Sequence, residues 1–236
     1  MAEAGRSLRV FYLALGAIAV VGIGLIVHAA TGGKGAPIVM AECGGPPLDN
    51  VPPQGVVAGP DSAPVHITEY GDFECPSCAR FAIITMPDVL RRLVPTGKLR
   101  WEWLDFPLQQ HQNSPLAHIT AECAARQGKF WDMEYALYDH QDDWFADANP
   151  ERKFLDYARA AGLEVDSLKV CMDQRRTWPQ IEANRCSGEK LAISGTPTFF
   201  VNGRELSGTP AYDDLARIVD SISAAPAAAP RPSGKR

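Results

Sequence analysis

Cys75 and Cys78 are separated by Pro76 and Ser77, and this CxxC stretch lies between a predicted strand and a predicted helix. The run Val65–Tyr70 is rich in β-branched residues, as expected of a buried strand. The sequence PSCARFAIITMPDVLRRLV then carries apolar residues at helical spacing, with the first proline in the first turn, where proline is tolerated. The CxxC is therefore predicted to lie where a strand passes into a helix.

The rest of the pattern predicts an α/β fold. A second strand is expected over Leu99–Phe106, and TPTFFVNGRELSG predicts two short strands around Asn202 and Gly203, a strong hairpin signal. A strand, a helix and a second strand imply a parallel pair with a crossover. Apolar spacing predicts further helices at Pro115–Arg126, Lys129–His140, Glu151–Ala161, Asp166–Met172, Trp178–Ile193 and Tyr212–Ser223. We therefore expect a mixed sheet with a helical insertion before the hairpin.

A CxxC can bind a metal, act as a structural crosslink or carry redox chemistry. A structural zinc site needs four Cys or His ligands, usually in two close pairs, and this sequence has no second pair. A disulfide across two residues closes a very small loop and stabilises a fold little. At a helix N-terminus, free N–H groups and the helix dipole favour a thiolate, the attacking species in thiol–disulfide exchange. The redox interpretation is favoured, with Cys75 as the attacking and Cys78 as the resolving cysteine.

An apolar segment, Val10–Ala30, precedes the predicted domain. It is long enough to cross a hydrocarbon core of about 30 Å, and Arg6 and Arg9 precede it, so we expect a membrane anchor with its N-terminus in the cytoplasm. A cleaved signal peptide is the alternative, although its apolar region is usually shorter. Both place the domain outside the cytoplasm, where disulfides persist. The net charge of -5 argues against nucleic acid as a partner.

Composition and pattern together predict the organisation of the chain. In order, we expect a cytoplasmic N-terminus (1–9), an anchor or signal segment (10–30), a Gly/Pro-rich tether (31–55), a folded domain (56–224, with its helical insertion at about 113–193) and a disordered tail (225–236).

Three stretches together resemble the DsbA-like branch of the thioredoxin superfamily: FECPSC, QGKFWDMEYALY and GTPTFFVNG. The resemblance spans about Val56–Ala224 and implies a thioredoxin fold with an inserted helical domain. It also implies that the bond between Thr196 and Pro197 is cis and lies against the CxxC, with the Thr196 backbone pairing with an extended substrate segment. An ordinary turn proline is the alternative for Pro197.

Glu69 lies in the first predicted strand, six residues before Cys75. In the DsbA-like branch an acid at this offset is buried beneath the active site, where it can exchange protons with the resolving thiol. A surface glutamate at a strand edge is the alternative. The lysine that partners this acid in the family has no match in LRWEWLDF. Asp72 and Glu74 are expected to be exposed, with Glu74 opposing thiolate formation modestly.

Four cysteines remain outside the CxxC, and they allow three pairings. Some exported DsbA-like proteins carry a second disulfide between two helices of the insertion, and the positions of Cys123 and Cys171 resemble it. Cys43 and Cys186 are then left to pair with each other, which would tie the tether to a helix. A lipid on Cys43 is the alternative, but VMAECGG lacks the small residue normally found just before a lipoprotein cysteine.

The resemblance implies an extracytoplasmic thiol–disulfide oxidoreductase, most simply an oxidase that donates the Cys75–Cys78 disulfide to exported proteins with cysteine thiols. It implies a membrane partner of the DsbB or VKOR type that restores the disulfide. No bound cofactor or metal is expected, because the two sulfurs carry the chemistry, and Pro76 and Ser77 tune their redox balance. Two alternatives stay open: a reductase or isomerase in cytochrome or copper-site maturation, and a non-catalytic module that binds peptides or assists folding.

Overall fold

The computed structural model describes residues 38–44 and 51–224, and these residues, apart from Ile38, belong to one compact unit that begins at Val39. The predicted anchor at 10–30 and the predicted tail at 225–236 lie outside the described residues. Within the described part of the chain, no helix combines the length and apolar character needed to cross a membrane.

The described residues form a succession of strands and helices. The strands are β1 (Val56–Ala58), β2 (Val65–Gly71), β3 (Leu99–Asp105), β4 (Thr198–Val201) and β5 (Arg204–Leu206). The helices are α1 (Pro76–Ile84), α2 (Met86–Asp88), α3 (Ser114–Ala125), α4 (Phe130–Asp139), α5 (Gln141–Trp144), α6 (Glu151–Ala160), α7 (Val165–Asp173), α8 (Trp178–Lys190) and α9 (Tyr212–Ala224). Their order agrees with the pattern of the sequence. The short strand β1 and the single turn α5 were not predicted, because three or four residues carry too little periodicity.

The strands form one mixed sheet in the order β1-β3-β2-β4-β5. β2 and β3 run parallel, so the predicted crossover through α1 is confirmed. β4 is antiparallel to β2 and to β5, and the β4–β5 turn at Asn202 and Gly203 has positive φ at both residues, as a tight hairpin requires. Helices α3 to α8 all lie between β3 and β4 in the chain, so the fold is that of a thioredoxin-like sheet with a helical insertion.

Helix α1 ends at Ile84, three residues before Pro87. Proline has no N–H to donate, and its ring clashes with the carbonyl of the preceding turn. The chain continues through α2, then through a π-helical turn at Val89–Leu93 and a 3-10 turn at Val94–Thr96. Gly97 closes this segment in the left-handed region, at φ 72°.

One face of the sheet packs against α1, α2 and α9. Alternate residues of β2 and β3 point to this face, as the two-residue period of a strand requires. The buried core here consists of Val65, Ile67, Phe81, Met86, Val89, Leu93, Leu99, Trp101, Phe199, Leu215 and Val219. Because α1 is fixed on this core, the CxxC at its start is fixed relative to the sheet.

The opposite face of the sheet carries a smaller cluster of Tyr70, Leu104 and Phe106. Helix α8 approaches this cluster closely at Gly188. A Cβ atom at Gly188 would lie 2.6 Å from the ring of Phe106, so this approach is open only to glycine. The helical insertion is thereby held to the sheet on the side away from α1.

Residues 39–44, part of the segment interpreted as a tether, are held against α8. The Glu182 carboxylate accepts the Ala41 N–H at 3.0 and 3.2 Å, and the Arg185 guanidinium donates to the Ala41 carbonyl. A disulfide joins Cys43 to Cys186, with the two Cα atoms 5.3 Å apart. This stretch is therefore fixed to the insertion both covalently and by hydrogen bonds.

Candidate active site

The CxxC lies at the N-terminus of α1, directly after the end of β2. Cys75 is the N-cap residue, with extended backbone angles, and Pro76 occupies the first helical turn. Proline suits that position because its missing N–H has no partner in the helix there. Cys75 and Cys78 are both free thiols, but they differ in access: Cys75 is 7% exposed and Cys78 is fully buried. Pro76 and Ser77 between them are exposed.

The pKa of the Cys75 thiol is lowered to about 5. The largest cause is the hydrogen bond from the Cys78 thiol, which outweighs the opposing effect of burial, and the backbone N–H groups of Cys78 and Ser77 add to it. These N–H groups are unpaired donors of the first helical turn, and they point at a sulfur placed at the positive end of the helix dipole. Cys75 is therefore a thiolate at neutral pH.

The neighbouring Cys78 behaves in the opposite way. Burial raises its pKa well above the usual value, and the hydrogen bond to Cys75 and the charges of Cys75 and Glu69 raise it further. Cys78 therefore keeps its proton, and its S–H group can donate a hydrogen bond to the Cys75 thiolate. The pair therefore shares one proton unequally, with the charge on the outer sulfur.

Glu69 is 1% exposed and lies on the same face of the sheet as the CxxC helix. Burial raises its pKa to about 8, although a hydrogen bond from the Trp101 indole N–H, 3.2 Å long, partly opposes this. Trp101 lies in β3, whose sequence LRWEWLD contains no lysine. An indole donor cannot supply the positive charge of a lysine, so at neutral pH the carboxyl group of Glu69 stays protonated.

Two further buried groups near this acid were missed by the sequence analysis. Glu134 in α4 is 2% exposed, and burial together with the charge of Glu69 raises its pKa well above the usual value. Tyr138, one turn later, is also buried and donates a hydrogen bond of 3.2 Å to the Asp72 carbonyl. A signal was present in QGKFWDMEYALY, because Glu134 and Tyr138 fall on the face of the helix that carries Phe130 and Leu137.

Thr196 and Pro197 lie on the open side of the CxxC. The bond between them is cis, as the resemblance implied, and both residues are partly exposed. The Cys75 sulfur lies 3.1 Å from the Thr196 carbonyl oxygen, a contact in which the thiol donates a hydrogen bond when it is protonated. The Thr196 hydroxyl is buried on this side of the Cys75 sulfur and contributes to lowering the pKa of that thiol. The structure thus brings Cys75, Cys78, Glu69, Thr196 and Pro197 together around one end of the sheet.

The expectation that Asp72 is exposed is wrong, because Asp72 is completely buried. One carboxylate oxygen accepts the Glu74 N–H at 2.8 Å, and the other accepts the Leu108 N–H at 2.6 Å and contacts His111 Nδ1 at 2.9 Å. These bonds tie the end of β2 to the loop that follows β3, and they satisfy the buried carboxylate. The sequence did not reveal this role, because His111 lies 39 residues further along the chain.

Glu74 was expected to be exposed, but it is only partly exposed. Its carboxylate makes hydrogen bonds within the protein. One oxygen accepts the N–H groups of Asn113 and Ser114, at 3.0 and 2.9 Å, at the start of α3. The Asn113 side chain does not cap this helix and donates instead to the carbonyls around Phe145. Glu74 therefore links the CxxC loop to the first helix of the insertion.

The second disulfide of the described residues, Cys123–Cys171, joins α3 to α7 with a Cα–Cα distance of 5.9 Å. Each of the two disulfides includes at least one cysteine of the insertion. Cys75 and Cys78 are the free cysteines of the described residues. Among the residues that the structure describes, no group of three or more His, Cys, Asp or Glu side chains is arranged to hold a metal ion.

The sequence is similar to proteins of known family. A family model described as Thioredoxin matches residues 52–221. Disulfide bond formation protein D from Bacillus subtilis is 25% identical over 167 residues, which cover 70% of this chain and 75% of that protein. A Na(+)/H(+) antiporter NhaA 3 from Salinispora tropica is 37% identical over 191 residues, which are 80% of this chain but only 27% of the antiporter. The chain thus spans about a quarter of the length of these antiporters.

Solved structures agree with the fold. The oxidised form of BdbD from Bacillus subtilis has a TM-score of 0.63 and 25% identity, covering 73% of this chain and 97% of that one. The α-DsbA1 protein of Wolbachia pipientis has a TM-score of 0.62 at 20% identity, covering 73% of this chain and 93% of that one. The second similarity concerns the fold alone.

Proposed function

The chain belongs to the thioredoxin family, and on this premise we propose that it is a DsbA-like thiol–disulfide oxidoreductase, an oxidase that donates the Cys75–Cys78 disulfide to exported proteins. The observation that supports oxidation rather than reduction is the difference in pKa between the two thiols. A Cys75 pKa of about 5 keeps the reduced protein in a stabilised thiolate form at neutral pH. A stabilised reduced form makes the disulfide a strong oxidant, since oxidising potential rises with the stability of the reduced state.

The reaction proceeds by two thiol–disulfide exchanges. A substrate thiolate attacks the Cys75 sulfur of the disulfide, which forms a mixed disulfide and releases Cys78 with the electron pair of the broken bond. A second substrate thiolate then attacks the substrate sulfur of the mixed disulfide, which closes the substrate disulfide and releases Cys75 as a thiolate. Two electrons pass from the substrate to the CxxC, and Cys75 leaves readily because its pKa is low.

Glu69 supplies the proton that the first exchange requires. Cys78 leaves as a buried thiolate, a form that its burial strongly disfavours. With a pKa of about 8, Glu69 is protonated at neutral pH and can transfer its proton to Cys78. In the return reaction, Glu69 accepts the Cys78 proton as the disulfide is formed again. The buried acid therefore acts as a proton reservoir for the resolving sulfur.

Substrate binding is assigned to the segment that faces the outer sulfur. Thr196 and Pro197 are partly exposed, and the Thr196 carbonyl lies within hydrogen-bond distance of the Cys75 sulfur. An extended peptide that pairs with the Thr196 backbone would carry its own cysteine to Cys75. The exposed Pro76 and Ser77 leave that approach open and, by filling the turn between the cysteines, tune the redox balance.

The proposed setting is outside the cytoplasm. Residues 1–9 would face the cytoplasm, residues 10–30 would anchor the chain, residues 31–55 would form a tether, residues 56–224 would be the catalytic domain and residues 225–236 a tail. The disulfides Cys43–Cys186 and Cys123–Cys171 support this, because such bonds persist in oxidising compartments. A quinone-linked membrane partner of the DsbB or VKOR type would reoxidise the CxxC, and no bound cofactor is needed.

The test is the reduction potential of the CxxC, measured by equilibrating the purified protein with glutathione. A value close to the about −120 mV of DsbA is expected. A value close to the about −270 mV of thioredoxin would contradict the oxidase proposal and identify a reductase. A Cys75→Ser variant provides the control, because it removes the attacking sulfur and must abolish exchange while the fold is retained.

A further inference from the structure

We propose that His111, held in place by Asp72, is a positioning residue that places a positive charge near the start of α1, where Cys75 lies, and so makes the disulfide more oxidising. The inference rests on the proposed function in one respect, the assignment of Cys75 as the reacting sulfur. His111 lies in the loop after β3, outside every motif that the sequence analysis used. It reaches the active site only through the fold.

Asp72 contacts both His111 and Cys75, the first through its side chain and the second through its backbone. Its carboxylate oxygen contacts His111 Nδ1 at 2.9 Å, while its carbonyl oxygen accepts the Cys75 N–H at 3.0 Å. The same carboxylate oxygen accepts the Leu108 N–H, and the carbonyl also accepts the Tyr138 hydroxyl. Asp72 is completely buried, so both its ends are held rigidly. The imidazole therefore has a fixed position relative to the CxxC.

The charges around the imidazole favour its protonated form. The hydrogen bond with Asp72 is the largest cause that raises the pKa of His111, and it outweighs burial, with the charges of Asp72, Glu74 and Cys75 adding to it. Burial acts to raise the pKa of Asp72, yet that pKa is lowered overall, because the bond to His111 and the charges of His118 and His111 prevail. These effects together favour a carboxylate on Asp72 and an imidazolium on His111.

His118 is the other histidine near this loop, and it has a different partner. Its Nδ1 lies 2.6 Å from Asp105, and its ring packs against Phe73 and Trp103 in the buried interior. The His111 side chain, by contrast, is 22% exposed and can exchange its proton with solvent. The side chain of His111 is therefore accessible to solvent, whereas that of His118 is buried.

The attraction between His111 and Cys75 acts in both directions. If the imidazolium stabilises the thiolate, the thiolate must stabilise the imidazolium by the same free energy. The His111 charge is present below its raised pKa and is lost above it. Below that pKa the reduced protein gains stability and the disulfide is more oxidising. Above it this contribution disappears, so the potential falls more steeply with pH across the His111 titration.

The first test uses the unmodified protein. The His111 ring is titrated by NMR in the reduced protein, which has the Cys75 thiolate, and in the oxidised protein, which has no charge on Cys75. We expect the His111 pKa to be higher in the reduced form. Equal values in the two forms would overturn the proposal, and this outcome does not depend on whether any variant folds.

The second test uses His111→Asn and His111→Lys. Asparagine keeps a donor for Asp72 but removes the charge, so the equilibrium constant against glutathione should move about threefold to tenfold toward the reducing side, and tenfold corresponds to about 30 mV. Lysine restores a charge that does not titrate near neutral pH, so it should return the constant toward the original value. The exposed His66 at the other end of β2 gives the matched control, His66→Asn, which should change nothing.

The outcomes separate this inference from the proposed function. If the ultraviolet absorbance of the Cys75 thiolate does not appear near pH 5 in the original protein, the assignment of Cys75 itself fails. If the thiolate appears there but His111→Asn leaves its titration and the glutathione equilibrium unchanged, only the role of His111 fails. A shift in both, with rescue by lysine, supports the positioning role, which a purely structural histidine would not give.

Discussion

The indole N–H of Trp101 donates a hydrogen bond of 3.2 Å to Oε2 of Glu69, inside the sheet face that supports the CxxC helix. This neutral donor lies in β3, whose sequence LRWEWLD contains no lysine. A lysine would hold the acid ionised, whereas an indole leaves burial as the dominant influence, and the Glu69 pKa rises to about 8. The acid is therefore protonated at neutral pH, and two predictions follow from that state.

Replacing Glu69 by Gln should slow disulfide exchange without removing the attacking sulfur. General acid–base catalysis typically contributes 10²–10⁴-fold, and we expect a loss near the lower limit, about 10²-fold. In the original protein the rate of Cys78 release should fall as the pH rises through about 8, because Glu69 loses its proton there. Stopped-flow oxidation of a dithiol peptide at a series of pH values measures both effects.

The control for this prediction is Glu205→Gln, which changes an exposed glutamate on β5. It should leave the rate and its pH profile unchanged. A Glu69→Gln profile that still bends near pH 8 would show that another group, such as Glu134, holds the transferred proton.

The same substitution should stabilise the fold at neutral pH. The folded-state pKa of Glu69 is raised, so its favourable contribution is complete below the unfolded pKa and is lost as the pH rises toward about 8. Glutamine does not titrate and keeps its contribution throughout. At pH 7 the variant should gain about 3 kcal/mol in the free energy of unfolding, by the conversion of about 1.36 kcal/mol per pKa unit. Urea unfolding at pH 4.5 and 7 tests this, with no gain expected at the lower pH.

Alkylation should separate the two thiols of the reduced protein. Cys75 has a pKa of about 5 and Cys78 a strongly raised one, and only thiolates react. Iodoacetamide at pH 6 should therefore modify Cys75 alone, and the rate should fall to half its plateau near pH 5. Mass spectrometry of the digested protein identifies the modified residue. Equal labelling of Cys78 at pH 6 would contradict the predicted order of the pKa values.

Local patterns in the sequence were sufficient for much of the fold. The strand before the CxxC, the helix that starts with Pro76 and the hairpin at Asn202 and Gly203 were all predicted, because each depends on residues within one or two turns of each other. The parallel pairing of β2 and β3 followed from the strand–helix–strand order. These parts of the structure are determined by short-range periodicity and turn chemistry.

The parts that escaped prediction depend on contacts between distant residues. Asp72 was expected to be exposed, but it is buried where the loop carrying Leu108 and His111 approaches the end of β2. Glu134 is an acid on the apolar face of its helix, and its nearness to Glu69 requires α4 to pack over the CxxC helix. Periodicity in the sequence identifies the buried face of a helix or strand. It does not identify the residues of other elements that pack against that face.

Removal of the Cys123–Cys171 disulfide should destabilise the insertion without altering the CxxC chemistry. The two cysteines are 48 residues apart in the chain, and the loop-entropy relation gives about 4 kcal/mol for a loop of this size. The double variant Cys123→Ala, Cys171→Ala should lose about that much in the free energy of unfolding, measured with denaturant on the oxidised protein. Its equilibrium constant against glutathione should stay unchanged. A large change in that constant would mean that α3 transmits strain to the active site.

Glu74 should matter for stability through its contact with α3 rather than through repulsion of the thiolate. Its carboxylate accepts the N–H groups of Asn113 and Ser114, which are unpaired donors at the positive end of that helix. Loss of a capping group typically costs about 1 kcal/mol, so Glu74→Ala should lower the free energy of unfolding by about that amount. Glu74→Gln keeps an acceptor oxygen and should lose roughly half as much.

Glu164 provides the matched control, because it stands at the N-cap of α7 but its side chain makes no capping hydrogen bond. Glu164→Ala should therefore leave the unfolding midpoint in urea nearly unchanged, while Glu74→Ala lowers it. If the two alanine variants cost the same, the carboxylate of Glu74 does not stabilise α3. If Glu74→Ala instead shifts only the Cys75 thiolate titration to lower pH, its main effect is electrostatic repulsion, as the sequence first indicated.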